Sequence, residues 1–174
     1  MNKTKLKTSL FIVSSFLIPA IMMFFIYLSQ GIYWNSDTSP LLGDGYHQYV
    51  IFDTTLRNIL HGTDSLFYSF QSGLGINFYA LSSYYLGSFF SPLVYFFNAQ
   101  SMPDAVYLIT LLKFGAIGLS TYISLHGMFS KIPRSLVLTL STSFALMSFA
   151  ISQIEIKTWL DVFIPVSYTH HAAD

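Results

Sequence analysis

The chain has 174 residues, of which 53% are hydrophobic, 18% are aromatic and only 9% are charged, with a formal net charge of zero. Soluble domains carry roughly 25% charged residues, so this composition excludes an ordinary soluble globular domain. The balanced charge gives no indication of a nucleic-acid partner, and the absence of cysteine excludes disulfides and thiolate metal sites. The composition therefore predicts an all-α membrane protein, a polytopic helical bundle with the lipid bilayer as its main partner.

The first predicted membrane helix covers residues 10–32, which contain no charged residue. About 20 apolar residues cross the hydrocarbon core, so this segment is long enough to span it. Lys3, Lys5 and Lys7 precede the segment, and the positive-inside rule therefore places the N-terminus in the cytoplasm. A cleaved signal peptide is the alternative, but a signal core is typically about 7–15 residues long and no small-x-small cleavage site follows.

The chain after this helix is then expected outside the cytoplasm, where it carries the polar cluster Gly43-Asp44-Gly45-Tyr46-His47-Gln48-Tyr49. Apolar residues recur at helical spacing over residues 47–61, which predicts an amphipathic helix lying flat on the membrane. On another stripe of that helix Asp53 and Arg57 are four residues apart, which predicts a local ion pair. Gly62 is the expected stop of the helix.

An uncharged run over residues 65–103 follows, and it is too broken for one simple helix because Gly73-Leu74-Gly75 and Ser91-Pro92 interrupt it. Two topologies compete for this run. In the first, residues 78–97 span the bilayer. In the second, residues 76–97 are a juxtamembrane or re-entrant segment, which is allowed only where protein or a watery cavity covers the broken backbone.

The next predicted spans, residues 105–125 and 135–153, help to choose between the two topologies. If 78–97 does not span, the loop with Lys131 and Arg134 is cytoplasmic, as the positive-inside rule favours. The last span then returns Glu155 and the residues after it to the side of the polar cluster. Acidic residues from two separate parts of the chain would share one face, which suits a site at the membrane–water boundary.

Lys113 is the one charged residue in the predicted span 105–125. A lysine at the bilayer centre costs about 2.5–3.5 kcal/mol on insertion scales, so it is expected to have a partner or a task. Two interpretations stay open. The side chain snorkels to the interface, or its charge is held for a lipid phosphate or a carboxylate.

A series of further motifs follows along the chain. They are, in order, Asp44-Gly45-Tyr46-His47-Gln48-Tyr49, Tyr68-Ser69-Phe70-Gln71-Ser72-Gly73-Leu74-Gly75, Tyr84-Tyr85-Leu86, Ser91-Pro92, Leu112-Lys113-Phe114-Gly115 and Trp159-Leu160-Asp161. Together these motifs resemble the bacterial YfhO family. YfhO-like proteins are multi-pass bacterial cell-membrane proteins similar to GT-C glycosyltransferases. The resemblance implies transfer of a sugar from undecaprenyl phosphate to a cell-wall polymer, teichoic or lipoteichoic acid, on the extracytoplasmic face. It also implies a GT-C-like N-terminal part whose long first extracytoplasmic loop holds a catalytic acid and juxtamembrane helices.

Asp44 is the candidate catalytic base. A carboxylate beside the acceptor hydroxyl can remove its proton as the hydroxyl attacks the anomeric carbon, an assistance typically worth about 10²–10⁴-fold. The flanking glycines leave space for a substrate, although Gly-Asp-Gly also suits a plain turn, and it is the resemblance that favours catalysis. Tyr46, His47 and Gln48 are candidate substrate-binding residues.

The departing phosphate needs positive charge, and Arg57 and Lys113 are the candidates for it. Asp161 is a weaker candidate substrate-binding residue, because its motif also suits the end of a helix at the interface. A divalent metal could bind Asp44 and Asp37, together with His47. No spacing is diagnostic of a metal site, so no cofactor is predicted with certainty.

Residues 1–165 are expected to be the N-terminal part of a longer multi-pass domain, and residues 166–174 a non-native or truncated tail that departs from the family pattern. Such a fragment is not expected to be active by itself. A transporter subunit is the alternative, since broken apolar helices and an intramembrane lysine also suit one, and a non-catalytic membrane scaffold is a further alternative. A transporter would not require a long extracytoplasmic loop with a flat helix and an isolated acid.

Overall fold

The computed structural model describes the backbone of residues 3–71 and 73–171 and the side chains of residues 7–71 and 73–165. The α-helices are α1 (Lys3–Ser29), α2 (Val50–Leu60), α3 (Phe78–Tyr85), α4 (Met102–Met128), α5 (Arg134–Ala145), α6 (Ser148–Ser152) and α7 (Lys157–His171). A π-helical turn, Gly45–Tyr49, leads into α2, and 3-10 turns cover Ser91–Phe96 and Ala99–Ser101. Over the described ranges the extended pairing is one antiparallel bridge between Ser69 and Ile76, so the predicted all-α class is confirmed.

Three helical stretches in the described part of the chain are long and apolar enough to cross a membrane: Lys7–Ser29, Ala99–Met128 and Arg134–Ser152. The third is interrupted between α5 and α6, where Met147 has an extended backbone. The disputed region 76–97 contains α3, with 8 residues, and a 3-10 turn with 6. Neither approaches the roughly 20 helical residues that a span requires.

The chain divides into two compact units. Unit 1 comprises the segment up to residue 30, residues 110–154 and the segment from residue 159, and it contains most of the apolar helical sequence. Unit 2 comprises residues 31–109 and 155–158, and it contains the polar cluster and α2.

In unit 1, helices α1 and α4 pack closely through glycines of α4. A Cβ atom added to Gly118 would lie 2.6 Å from Pro19 Cγ and would overlap the carbonyl oxygen of Ser15. A Cβ atom added to Gly115 would lie 2.9 Å from the ring of Phe16. Small residues allow membrane helices to approach in this way, because the attraction there comes mainly from close van der Waals packing.

In unit 2, two clusters of buried apolar side chains hold α2 in place. The first joins the start of α4 to the 3-10 turn and contains Val94, Met102, Ala105 and Ile109. The second joins α2 to α3 and contains Phe52, Phe78 and Leu86. Leu56 packs against both clusters, so α2 lies between them and its orientation is fixed by apolar contacts.

The end of α2 is the predicted one. Gly62 has a φ of 74°, a left-handed conformation that glycine adopts at little cost. The Thr63 N–H donates to the Asn58 carbonyl at 2.9 Å, and the Gly62 N–H donates to the Ile59 carbonyl at 2.9 Å. These bonds satisfy carbonyls that the helix end would otherwise leave without donors, in the manner of a Schellman motif.

Gly118→Ala should lower the thermal unfolding temperature of the detergent-solubilised protein, because its methyl group meets Ser15 and Pro19. Overpacking costs about 1–3 kcal/mol, more than the roughly 1 kcal/mol that alanine gains over glycine in a helix. Gly127→Ala is the matched control, since Gly127 is exposed near the end of the same helix. The control should keep or raise the unfolding temperature, and a Gly118→Ala protein that does the same would contradict the close packing.

Candidate functional site

The polar cluster forms the head of a continuous helix that runs through the π-helical turn into α2. Gly43 has a φ of 47°, and its carbonyl accepts hydrogen bonds from the N–H groups of Tyr46 and His47, each at 3.2 Å. Asp44 occupies the N-cap position with helical backbone angles. The positive end of the helix dipole favours a carboxylate at this position. Single π turns occur frequently at functional sites.

The Asp44 carboxylate is exposed and is not used to cap the helix. Gln48 Nε2 donates a hydrogen bond to Asp44 Oδ1 at 3.0 Å. Among the described residues no donor reaches the second oxygen, Oδ2. The side chain is therefore oriented through one oxygen, while the other can accept a proton or a hydrogen bond. A plain structural turn would be expected to use this carboxylate on the backbone.

A second segment, residues 155–158, lies against the same turn. A Cβ atom added to Gly43 would lie 2.7 Å from Glu155 Oε2, and one added to Gly45 would lie 3.6 Å from the Glu155 carbonyl oxygen. The carboxylates of Asp44 and Glu155 are both exposed. Two acidic side chains from distant parts of the chain thus flank one short turn.

The second segment is held by a buried ion pair and a hydrogen bond. Lys157 Nζ pairs with the Asp53 carboxylate, and the side chains of the two residues are 2% and 0% exposed. The same ammonium lies 5.6 Å from the centre of the Tyr49 ring, within cation–π range. The Tyr49 and Thr158 hydroxyls are hydrogen-bonded at 2.8 Å. These contacts tie the start of α7 to the π turn and α2.

The pairing of Asp53 with Lys157 shows that the predicted local ion pair between Asp53 and Arg57 is wrong. Arg57 instead donates from Nε to the Phe97 carbonyl at 2.9 Å and from its guanidinium to Asn58 Oδ1 at 3.1 Å. The i,i+4 pair is worth only about 0.2–0.5 kcal/mol on an exposed helix. Asp53 faces the interior, where a carboxylate requires a cation that is buried with it.

Tyr49 remains a neutral hydroxyl near physiological pH. Burial raises the pKa of the Tyr49 hydroxyl, the hydrogen bond with Thr158 lowers it, and electrostatic repulsion of the ionised form by Tyr84, Tyr85 and Asp44 raises it further. The net shift is upward from the usual value of 10.0. The hydroxyl can therefore act as donor or acceptor towards Thr158 without ionising.

The described chain contains no group of three or more His, Asp or Glu side chains placed to hold a metal ion. The set considered from the sequence, Asp37, Asp44 and His47, is therefore not brought together as a three-ligand cluster. His47 instead lies edge-on to the ring of Tyr46, with 5.3 Å between the ring centres. Both rings are exposed on the π turn and can contact a bound molecule.

Lys113 and Asp161, two further candidates, belong to unit 1 and pair with each other. The Lys113 Nζ to Asp161 Oδ2 distance is 2.7 Å, with the lysine side chain fully buried and the aspartate side chain 23% exposed. The two interpretations left open for Lys113 were snorkelling to the interface and a charge held for a phosphate or a carboxylate. The structure supports the second, because Lys113 pairs with a carboxylate of its own chain.

The family model described as "Bacterial membrane protein YfhO" matches residues 14–166. The chain belongs to the YfhO family. The match includes the polar cluster, both ion pairs and the segment around Glu155. No curated protein and no solved structure matches this YfhO family member.

The sequence prediction for this YfhO family member missed the Asp53–Lys157 pair, although a signal for it was present. Tyr49, Phe52, Asp53 and Leu56 fall on one face of the helix at positions i, i+3, i+4 and i+7. A carboxylate in the middle of an apolar face needs a buried cation. The local pattern does not indicate which residue provides this cation. The tail prediction for residues 166–174 concerns side chains outside the described residues.

Lys157→Met in the YfhO protein should reduce the free energy of unfolding by about 3–5 kcal/mol, because it leaves the Asp53 carboxylate buried without a cation. Asp53→Asn should cost a similar amount, and the double substitution should cost clearly less than the sum of the two. Reversible denaturation in detergent measures all three. Lys131→Met is the control, since Lys131 is exposed in the loop after α4 and should change little. Additive costs would contradict a direct pair.

Proposed function

We propose that this YfhO family member is a GT-C-like glycosyltransferase that moves a sugar from undecaprenyl phosphate to a cell-wall polymer, teichoic or lipoteichoic acid, outside the bacterial cell membrane. The observation that carries the proposal is the exposed Asp44 carboxylate at the head of a helix, with Oδ1 held by Gln48 and Oδ2 open. Family membership supports the reaction class, since YfhO-like proteins are similar to GT-C glycosyltransferases and the motif around Asp44 is one of those that resemble the YfhO family.

In the proposed step, the oxygen of an acceptor hydroxyl attacks the anomeric carbon of the lipid-linked sugar. The bond from that carbon to the phosphate oxygen breaks, and the lipid phosphate leaves with the electron pair. Asp44 Oδ2 takes the hydroxyl proton. The hydrogen bond from Gln48 fixes the carboxylate rotamer, which supports this role because a general base must lie within hydrogen-bond reach of its proton.

Tyr46 and His47 are proposed to contact the substrate beside Asp44, because both side chains are exposed on the same π turn. Arg57 fits a role on the departing phosphate less well, since it lies about 20 Å along the helix from Asp44 at 1.5 Å per residue. Lys113 and Asp161 already neutralise each other. The proposal therefore rests on Asp44, Tyr46, His47 and Gln48.

Asp44→Asn tests the base directly in the full-length protein, purified and supplied with a radiolabelled undecaprenyl-phosphate sugar and acceptor polymer. The turnover number should fall by about 10²–10⁴-fold, because the amide cannot take the proton at this position. Asp64→Asn is the matched control, since Asp64 lies in the loop after α2 and, within the described part of the chain, its carboxylate accepts a single bond from the Ser65 N–H. Transfer by Asp44→Asn at the wild-type rate would remove Asp44 as the base.

The proposal also places the polar cluster outside the cytoplasm and the loop after α4 inside it. The chain has no cysteine, so single substitutions give unambiguous labels. An impermeant thiol reagent applied to intact cells should label Thr38→Cys and should leave Ser130→Cys unlabelled until the cells are opened. Both positions are exposed. Labelling of Ser130→Cys from outside would overturn this orientation.

A further inference from the structure

We infer that Glu155 is a second substrate-binding carboxylate of the Asp44 site, which accepts hydrogen bonds from hydroxyl groups of the transferred sugar. The inference rests on the proposed function and assigns a specific role to a residue that the sequence placed only on the same face as the polar cluster. Three observations support it: the placement of Glu155, the contacts that hold its segment, and the absence of a described partner for its carboxylate.

The placement of Glu155 depends on the backbone of the π turn. Gly43 combines a positive φ with a position where a Cβ atom would lie 2.7 Å from Glu155 Oε2. Only glycine both adopts this conformation easily and leaves room for the carboxylate. Glu155 therefore lies against the residue that directly precedes Asp44, and its main chain contacts Gly45, which directly follows it.

The segment that carries Glu155 is fixed on its C-terminal side. Two residues further along, Lys157 is buried in its ion pair with Asp53. The next residue, Thr158, is hydrogen-bonded to Tyr49. An exposed glutamate normally samples many positions at some cost in entropy on binding. Here the backbone of the segment is anchored by a buried charge pair, so Glu155 as a residue is kept beside the Asp44 turn and its carboxylate within reach of it.

The Glu155 carboxylate has no structural task among the described residues. It is exposed, and neither of the two ion pairs in the described part of the chain includes it. No described side chain donates a hydrogen bond to it. Two acidic groups held close to one turn repel each other unless a ligand or water satisfies them. No ion pair or side-chain hydrogen bond of the described residues therefore engages this carboxylate, which leaves the group available for a ligand.

The chemistry of two carboxylates beside one turn selects the part of the substrate that can lie against them. Carboxylates accept strong, charge-assisted hydrogen bonds from hydroxyl groups. A phosphate, which is itself anionic, would be repelled. This end of the site therefore suits the hydroxyl-bearing face of a sugar, with the lipid phosphate directed away from Glu155.

The test uses the full-length protein with Glu155→Gln and measures initial rates of transfer against the concentration of undecaprenyl-phosphate sugar. Loss of charge-assisted hydrogen bonds should raise KM by about 10- to 100-fold, while kcat stays close to wild type. Asp44→Asn should show the opposite effect: kcat should fall, while KM stays close to wild type. Asp64→Asn should match wild type in both constants. Glu155 is exposed, so Glu155→Gln should keep the wild-type unfolding temperature, which is measured on the same preparation.

The outcomes separate the two proposals. If the wild-type protein transfers no sugar, the proposed function fails. If the wild type is active and Glu155→Gln keeps the wild-type KM, the inference about Glu155 fails while the proposed function stands. A KM defect that appears only when Mg²⁺ is added would assign the carboxylate to a cation and would also overturn the inference.

Discussion

Asp53 and Lys157 lie 104 residues apart in the sequence and meet as a buried ion pair on which the arrangement of unit 2 depends. Neither charge could be buried by itself, because the cost of removing one unpaired ion from water is several kcal/mol. The pair therefore joins two segments that have no sequence proximity. The apolar face of α2 carries one carboxylate, that of Asp53, and Lys157 at the start of α7 is its partner. The start of α7 must therefore lie beside this helix.

The geometry of the candidate site follows from that junction. Once Lys157 is placed under Tyr49, Thr158 reaches the tyrosine hydroxyl and the main chain of Glu155 reaches Gly45. Asp44 takes no part in this network except through the bond from Gln48. The buried charges thus hold the turn in place. The exposed carboxylates beside it form no ion pair among the described residues. A site that must present a base to a substrate needs this separation, since a base fully engaged in structural bonds is a poor proton acceptor.

The pair between Lys113 and Asp161 obeys the same rule in unit 1 with a different degree of burial. Its lysine is fully buried while its aspartate is 23% exposed, so one partner stays partly accessible at the protein surface. The sequence predicted that a lysine in an apolar helix would have a partner or a task. Identifying the partner required the fold, because Asp161 lies 48 residues further along the chain.

The sequence by itself determined the all-α class, the three apolar stretches long enough to span a membrane and the stop of α2 at Gly62. These are consequences of composition, of apolar runs and of local backbone preferences, which act over a few turns of helix. The partner of Asp53 was decided only by the tertiary structure. A local pair with Arg57 was available and was predicted, but burial makes the choice of partner depend on which cation the fold can bury alongside the carboxylate. The sequence predicted that Glu155 would share a face with the polar cluster, but its contacts at Gly43 and Gly45 were decided by the tertiary structure, because they follow from that long-range pair.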